Sequence, residues 1–225
     1  MSSLEVATDA VARHPLALQG CEGPEGLSVT EGGDEVWVAC TESDALVVLS
    51  GLGASAGTVR AVLPLPRGSA PYGIALSRDQ RRALVTLSRS AGIAVVDVPG
   101  RRVTDVLQPV PGTPLGIAWT EDGRSAWVTA MRRLFDFAFM TRVDVSGPKP
   151  VIGTIIRNFP AGPLRSGSLR DPIASRNVAE GGYLTFRGQL AQVPSVSGRD
   201  EIWIPTQYGD VPIRATTGAS FSGRR

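Results

Sequence analysis

Apolar residues in this chain come in short runs cut by polar turns, and helical spacing is nowhere sustained. Residues 70–107 show the pattern most cleanly. Ile74-Ala75-Leu76 is an apolar run and Ser77 to Arg81 a polar turn; Arg82 to Leu87 is a second strand, Ser88 to Gly92 a loop, and Ile93 to Asp97 a third strand. Pro99-Gly100-Arg101 turns the chain again, and Arg102 to Leu107 alternates as a half-exposed strand does. The pattern predicts four antiparallel strands joined by tight connections.

The unit recurs. Gly23-Pro24-Glu25-Gly26-Leu27-Ser28-Val29 leads to Val36-Trp37-Val38-Ala39, Ala70-Pro71-Tyr72-Gly73-Ile74-Ala75-Leu76 to Ala83-Leu84-Val85-Thr86, and Thr113-Pro114-Leu115-Gly116-Ile117-Ala118-Trp119 to Ala126-Trp127-Val128-Thr129. Pro24, Pro71 and Pro114 stand 47 and 43 residues apart, inside the period of about 40 to 50 residues shown by propeller blades. Asp44 to Leu49 and Thr58 to Leu65 complete the first copy, and Thr141 to Val145 and Val151 to Ile156 the third. Gly32-Gly33-Asp34 and Glu121-Asp122-Gly123 supply turn chemistry between strands one and two. The expected fold is therefore all-β, a β-propeller of four-stranded antiparallel blades, with blades over residues 23–66, 70–110 and 113–157.

A weaker copy spans residues 184–208, with Leu184 to Val193 and Glu201-Ile202-Trp203-Ile204 as its first two strands. Its Gly188 lies 72 residues after Gly116, and the excess falls in an insert over 157–182 that is rich in Gly, Pro, Ser and Arg. A connection of that length is either functional or disordered. Arg132 to Met140 reads as a strand or hairpin edge, and Val6 to Leu18 as the outer strand of a preceding blade. Residues 1–210 form one propeller domain on this reading, and 211–225 a loose tail. About three full blades and two partial ones fall short of most rings, which close with about 4 to 8; an incomplete propeller is expected.

These repeats resemble the YVTN type of β-propeller repeat, in which Pro-x-Gly-Ile-Ala-Val precedes a Ser-x-Asp-Gly turn, a Leu-Tyr-Val-Ala/Thr-Asn strand and a Val-Ile-Asp strand. Pro71-Tyr72-Gly73-Ile74-Ala75-Leu76-Ser77-Arg78-Asp79 and Val95-Val96-Asp97 follow it closely. Pro24, Gly26, Trp37-Val38-Ala39 and Pro114, Gly116, Trp127-Val128-Thr129 follow it with substitutions. The asparagine usual after the second strand is replaced by Cys40, Leu87 and Ala130, so the loop it would pin is looser or differently bonded. The resemblance implies a bacterial protein, periplasmic or extracellular, some of whose relatives carry haem-c domains. A scaffold does not specify a reaction.

The first strand of each blade lines the channel in such a propeller, and Leu27-Ser28-Val29, Ile74-Ala75-Leu76 and Ile117-Ala118-Trp119 contain no acid, histidine or amide. A calcium-dependent lactonase would need several oxygen ligands converging there. His14, the only histidine, falls in the outer strand of the preceding blade, and no Gly-x-Ser-x-Gly or Cys-x-x-Cys-His occurs. No catalytic residue, metal site or cofactor is expected. Trp37, Trp127 and Trp203 share one position in their repeats and are expected to pack between blades.

Glu25, Tyr72 and Leu115 from the loops before strand one, and Glu42, Asp44, Arg89, Arg132 and Arg133 from those after strand two, share one mouth of the disc. Mixed charge with one aromatic suits a protein, a peptide or a polar ligand; a merely solvated rim is the other reading. Cys21 and Cys40 end on that same rim, where they form a disulfide in an oxidising compartment or stay two buried thiols. Every basic residue but Lys149 is an arginine, scattered among acids, with a formal net charge of +2; nucleic acid is not an expected partner. No stretch has the roughly 18 apolar residues of a spanning helix, and Met1 to Gly20 has no signal-peptide pattern. The expected function is a non-enzymatic propeller scaffold or binding module with a protein or peptide partner, or one that self-associates through open blade edges. The alternative is a fragment of a larger propeller enzyme or electron-transfer protein whose catalytic or haem-c part lies elsewhere.

Overall fold

The structure, a computed structural model, describes residues 2–5, 10–13, 19–51, 56–131, 138–157, 191–193, 201–206, 209–215 and 221–223. Strands β1 (Ser2–Glu5) and β2 (Ala10–Arg13) form a two-stranded sheet. The first blade is β3 (Pro24–Val29), β4 (Glu35–Cys40), β5 (Ala45–Ser50) and β6 (Val59–Pro64). The second is β7 (Pro71–Leu76), β8 (Arg82–Leu87), β9 (Gly92–Asp97) and β10 (Arg102–Leu107). The third is β11 (Thr113–Trp119), β12 (Ser125–Met131), β13 (Ala138–Asp144) and β14 (Val151–Arg157). A fourth four-stranded sheet comprises β15 (Ala191–Val193), β16 (Glu201–Thr206), β17 (Gly209–Ala215) and β18 (Phe221–Gly223). All strands within a sheet run in antiparallel sequence order, and no helix occurs among the described residues. The inner strands lie side by side, β3 against β7 and β7 against β11. That is the arrangement of a β-propeller with four-stranded antiparallel blades.

One expectation is corrected. Residues from 211 onward do not all form a loose tail: β17 pairs with β16 from Thr206↔Gly209 to Glu201↔Arg214, and β18 pairs with β17 at Ile213↔Gly223 to Ala215↔Phe221. Pro212 reads as a strand breaker, yet it forfeits only one N–H, and the alternation Val211, Ile213, Ala215 around it carries the strand. Most of the 157–182 insert, His14, and residues 184–190 of the weak repeat lie outside the described residues.

The blades cohere through their faces. Trp37, Ala39, Leu46 and Val48 of the first blade are buried against Ile74, Ala83, Val85, Ala94 and Val96 of the second. Leu84, Ile93 and Val95 on the second blade's other face meet Ile117, Trp119, Val128 and Val143 of the third. Each fully buried aliphatic contributes about 1.5–3 kcal/mol, so alternate residues of β4, β8 and β12 face opposite neighbours and glue consecutive blades. Trp37 is fully buried between blades as its position predicts, and Trp127 is buried too.

Cys21 and Cys40 are joined by a disulfide, with Cα atoms 5.1 Å apart and a sequence separation of 19. It ties the entry of β3 to the end of β4, where the repeat lacks its asparagine. In the second blade Ser88 does that work, its Oγ donating to Ala70 O at 2.8 Å. Closing a loop of this size removes about 3 kcal/mol of unfolded-state entropy. Reduction, or a Cys21→Ser/Cys40→Ser variant, is expected to lower Tm by about 6–12 °C. Melts that superimpose with and without reductant would show that the bridge adds nothing.

Candidate functional site

Each Pro-x-Gly segment is a β-bulge. The β3/β4 register shifts between Pro24 and Gly26, β7/β8 between Pro71 and Ile74, and β11/β12 between Pro114 and Ile117. A bulge re-aims one side chain and bends the strand; here the re-aimed residues are Glu25, Tyr72 and Leu115. Glu25 is exposed, Tyr72 half-buried and Leu115 buried, so the three do not form one equivalent set.

The loops before strand one and after strand two do share a mouth. Thr41 N–H donates to Gly23 O at 2.8 Å and Glu42 N–H to Glu22 O at 3.0 Å; Ser88 N–H and Arg89 N–H donate to Ala70 O and Ser69 O at 2.9 and 3.1 Å. Glu42 and Arg89 are exposed there. Asp44 is half-buried and faces inward along the chain: its carboxylate accepts from Gly68 N–H at 2.6 Å, Ala70 N–H at 2.8 Å and Ser69 Oγ at 3.4 Å. Burial raises its pKa, but the Ala70 and Gly68 N–H groups, the Ser69 hydroxyl and the Arg89 charge outweigh it and hold the carboxyl below the usual range. Asp44, itself left-handed at φ 49°, thereby fastens the linker into the second blade. Arg132 and Arg133 lie outside the described residues.

The channel strands spend their backbone groups on neighbouring blades. Thr86 Oγ1 accepts from Gly73 N–H and donates to Leu115 O, both at 2.7 Å. Thr41 Oγ1 donates to Pro71 O at 2.6 Å, Leu76 N–H donates to Ser28 Oγ at 3.3 Å, and Trp119 Nε1–H donates to Ala75 O at 3.0 Å. An inner strand has a free edge whose polar groups must find partners; side chains of the blades on either side provide several of them, and Thr86 serves Gly73 within its own blade as well. Among the described residues no three His, Cys, Asp or Glu side chains gather as a metal would require.

The opposite mouth carries a feature that sequence reasoning missed. A groove of about 910 Å³ opens between the second and third blades, with Trp119, Val95 and Val145 as apolar lining. One wall is the Ser77 to Arg82 turn with Thr104 and Asp105, and the other is the Glu121 to Gly123 turn with Pro148, Lys149 and Pro150. The walls are set by a repeated device. Ser77 Oγ accepts from Arg82 N–H at 2.9 Å and donates to Asp79 at 2.6 Å, while Thr120 Oγ1 accepts from Ser125 N–H at 3.1 Å and donates to Asp122 at 2.6 Å. The Ser77 hydroxyl and Arg81 N–H hold the Asp79 carboxyl below the usual range. Burial works against the Asp122 charge, but the Thr120 hydroxyl, Arg124 N–H and the Arg124 and Arg142 charges hold that carboxyl low as well. Both acids stay ionised as parts of rigid turns.

No protein-family model matches the chain, and no curated sequence does. Solved structures do match. Hydrazine synthase of Kuenenia stuttgartiensis is 14% identical with a TM-score of 0.66, over 99% of this chain and 58% of that one. Virginiamycin B lyase from Staphylococcus aureus is 15% identical with a TM-score of 0.60, over 96% of this chain and 60% of that one. A chain of the nidogen/laminin complex is 15% identical with a TM-score of 0.58, over 90% of this chain and 65% of that one. This chain spans about three fifths of the first two structures. At such identities the likeness shows the β-propeller fold, and both enzymes and a complex between proteins share it.

Proposed function

We propose that the protein is a binding module, a propeller scaffold of YVTN-type repeats that docks a protein or peptide and performs no reaction of its own. The observation that supports this is the contrast between its two kinds of concavity. Thr41, Thr86, Ser28 and Trp119 tie channel-strand backbone groups to adjoining blades, whereas the groove between the second and third blades is open and lined by charged side chains of both signs, with the edges of Trp119, Val95 and Val145 beneath them. A few apolar contacts framed by polar groups is the anatomy of a protein-binding patch. The other mouth, with Glu25, Tyr72, Glu42 and Arg89 at its edge, is the second surface of the same reading. The disulfide fits an oxidising setting, periplasmic or extracellular.

Panning a random-peptide display library against the full chain tests the reading. Peptides are expected to enrich and to lose binding to an Arg78→Glu/Lys149→Glu variant; no enrichment above an unrelated scaffold sinks it. The second reading, a propeller portion of a larger enzyme or electron-transfer protein, is favoured by the three-fifths coverage of hydrazine synthase and virginiamycin B lyase. Further Pro-x-Gly blades or a Cys-x-x-Cys-His encoded beside this chain would support it.

A further inference from the structure

The first blade shows to solvent what the next two blades bury. Leu27 and Val29 of β3 lie opposite Val38 and Val36; Ile74 and Leu76 of β7 lie opposite Val85 and Ala83 in the same way, and Ile117 and Trp119 of β11 opposite Val128 and Ala126. These are equivalent positions, on the face that each inner strand turns to the blade before it. Ile74 is packed under Trp37 and Ala39 of the first blade and Ile117 under Leu84 and Ile93 of the second, and each is 2% exposed. Leu27 is 57% exposed and Val29 47%. Val62, in line with Leu27 across β4 and β5, is a third exposed aliphatic on the same face. Val38 and Val47 between them are buried, with Cys21 packed against their cluster, so the unfilled part is chiefly the channel-side strip along β3.

The polar groups of β3 repeat the contrast. In the later blades the preceding blade bonds the free edge of strand one: Thr41 Oγ1 donates to Pro71 O, Ser28 Oγ accepts from Leu76 N–H, and Thr86 Oγ1 donates to Leu115 O. The equivalent groups of the first blade are Pro24 O, Val29 N–H and Glu25 O, and no described residue offers them such a side chain. Ahead of β3 the only sheet among the described residues is the two-stranded β1–β2. The strip is therefore the seat that strands one and two of a preceding blade fill elsewhere in the molecule.

The matching surface is encoded in the same chain. Trp37 and Leu84, with which the first two blades meet the blade that follows, lie opposite the small residues Ser28 and Ala75. In the fourth sheet Trp203 lies opposite Ala191 in the same register, and no described sheet follows it. We propose that the β3 strip docks a second copy of this chain, the inner strands of whose fourth sheet, β15 and β16, take the place of a preceding blade. The contact joins unlike surfaces, and used twice about a two-fold axis it closes on itself. Two copies bring eight four-stranded sheets, four from each, within the range of about 4 to 8 blades in which propellers close. The three-fifths span against hydrazine synthase and virginiamycin B lyase is in keeping with an arc that one copy leaves open.

The test is the mass of the full chain by light scattering at micromolar concentration. The parent is expected at twice 23.6 kDa. Leu27→Asp/Val29→Asp, which changes only exposed side chains, is expected to halve the mass and keep the parent's melting curve, and Trp203→Asp to halve it as well. Mixing these two variants is expected to restore a dimer, because the strip of one and the fourth sheet of the other are both intact; any damage to the fourth sheet in Trp203→Asp leaves its own β3 strip untouched, so the mixture still reads. Val151→Asp, an equally exposed aliphatic on the third blade, is expected to leave the dimer unchanged. A monomeric parent, a dimer that survives Leu27→Asp/Val29→Asp or Trp203→Asp, a mixture that stays monomeric, or a mass that climbs steadily with concentration overturns the proposal. None of these outcomes touches the binding-module reading, which rests on peptide capture at the rim.

Discussion

Replacing Gly73 by alanine is expected to destabilise the protein by about 4 kcal/mol or more, the high end of what overpacking causes. A Cβ at this position would sit inside the van der Waals envelope of the Leu115 carbonyl oxygen and 3.1 Å from Thr86 Oγ1. Neither neighbour can give way cheaply. Leu115 belongs to the inner strand of the next blade, and Thr86 is fixed by hydrogen bonds on both sides. Relief requires the second and third blades to part, which also weakens two buried hydrogen bonds worth about 1 kcal/mol each. For a chain of this size the change corresponds to a fall in Tm of about 8–16 °C. Gly147→Ala is the control, because its Cβ would meet only Lys149 O at an ordinary 3.7 Å. Thermal and urea melts that place Gly73→Ala within about 1 kcal/mol of the parent would mean that the inner strands do not approach as closely as they do here.

The same glycine shows how much of the fold could be read in advance. Pro24, Pro71 and Pro114 mark blade entries in the sequence, and the short apolar runs cut by polar turns from Ile74 to Leu107 are enough to lay out four strands. What the glycine is for could not be read, since its neighbour Leu115 is 42 residues away and only blade-to-blade packing brings it close. The bulge at each Pro-x-Gly was likewise invisible, because register depends on the partner strand. Turn chemistry was readable: Ser77-x-Asp79 and Thr120-x-Asp122 announce self-bonded turns, although Gln80 takes the left-handed position that Gly33 and Gly123 occupy in the other two.

The candidate site was less legible than the fold. Asp44 looked like a rim charge but is spent on the linker, because an acid beside two backbone N–H groups and a serine hydroxyl is drawn to them before it is available to a ligand. The groove left no local signature at all. Its lining comes from turns of two blades that lie far apart in sequence and that only blade-to-blade packing brings together.

Thr86→Val is the second change expected to be severe, at about 4 kcal/mol, and it separates hydrogen bonding from packing at the same junction. Valine keeps the shape and removes the hydroxyl, which leaves the Gly73 N–H and the Leu115 carbonyl buried without the partner they share. Each orphaned group costs about 2 kcal/mol. Thr86→Ser keeps the hydroxyl and removes one methyl, for about 1 kcal/mol. Among the described residues the equivalent Thr129 makes a single long side-chain bond, to Gly116 O at 3.5 Å, so Thr129→Val should cost well under half as much. In the first blade the position is Ala39, and Thr41 bonds Pro71 O from two residues further on. A loss for Thr86→Ser that exceeds the loss for Thr86→Val would show that the methyl, not the hydroxyl, matters. The expected order, Thr86→Val far above Thr86→Ser and Thr129→Val, would show that the free edge of an inner strand is stabilised by the next blade's hydroxyl. That edge is then committed to the ring.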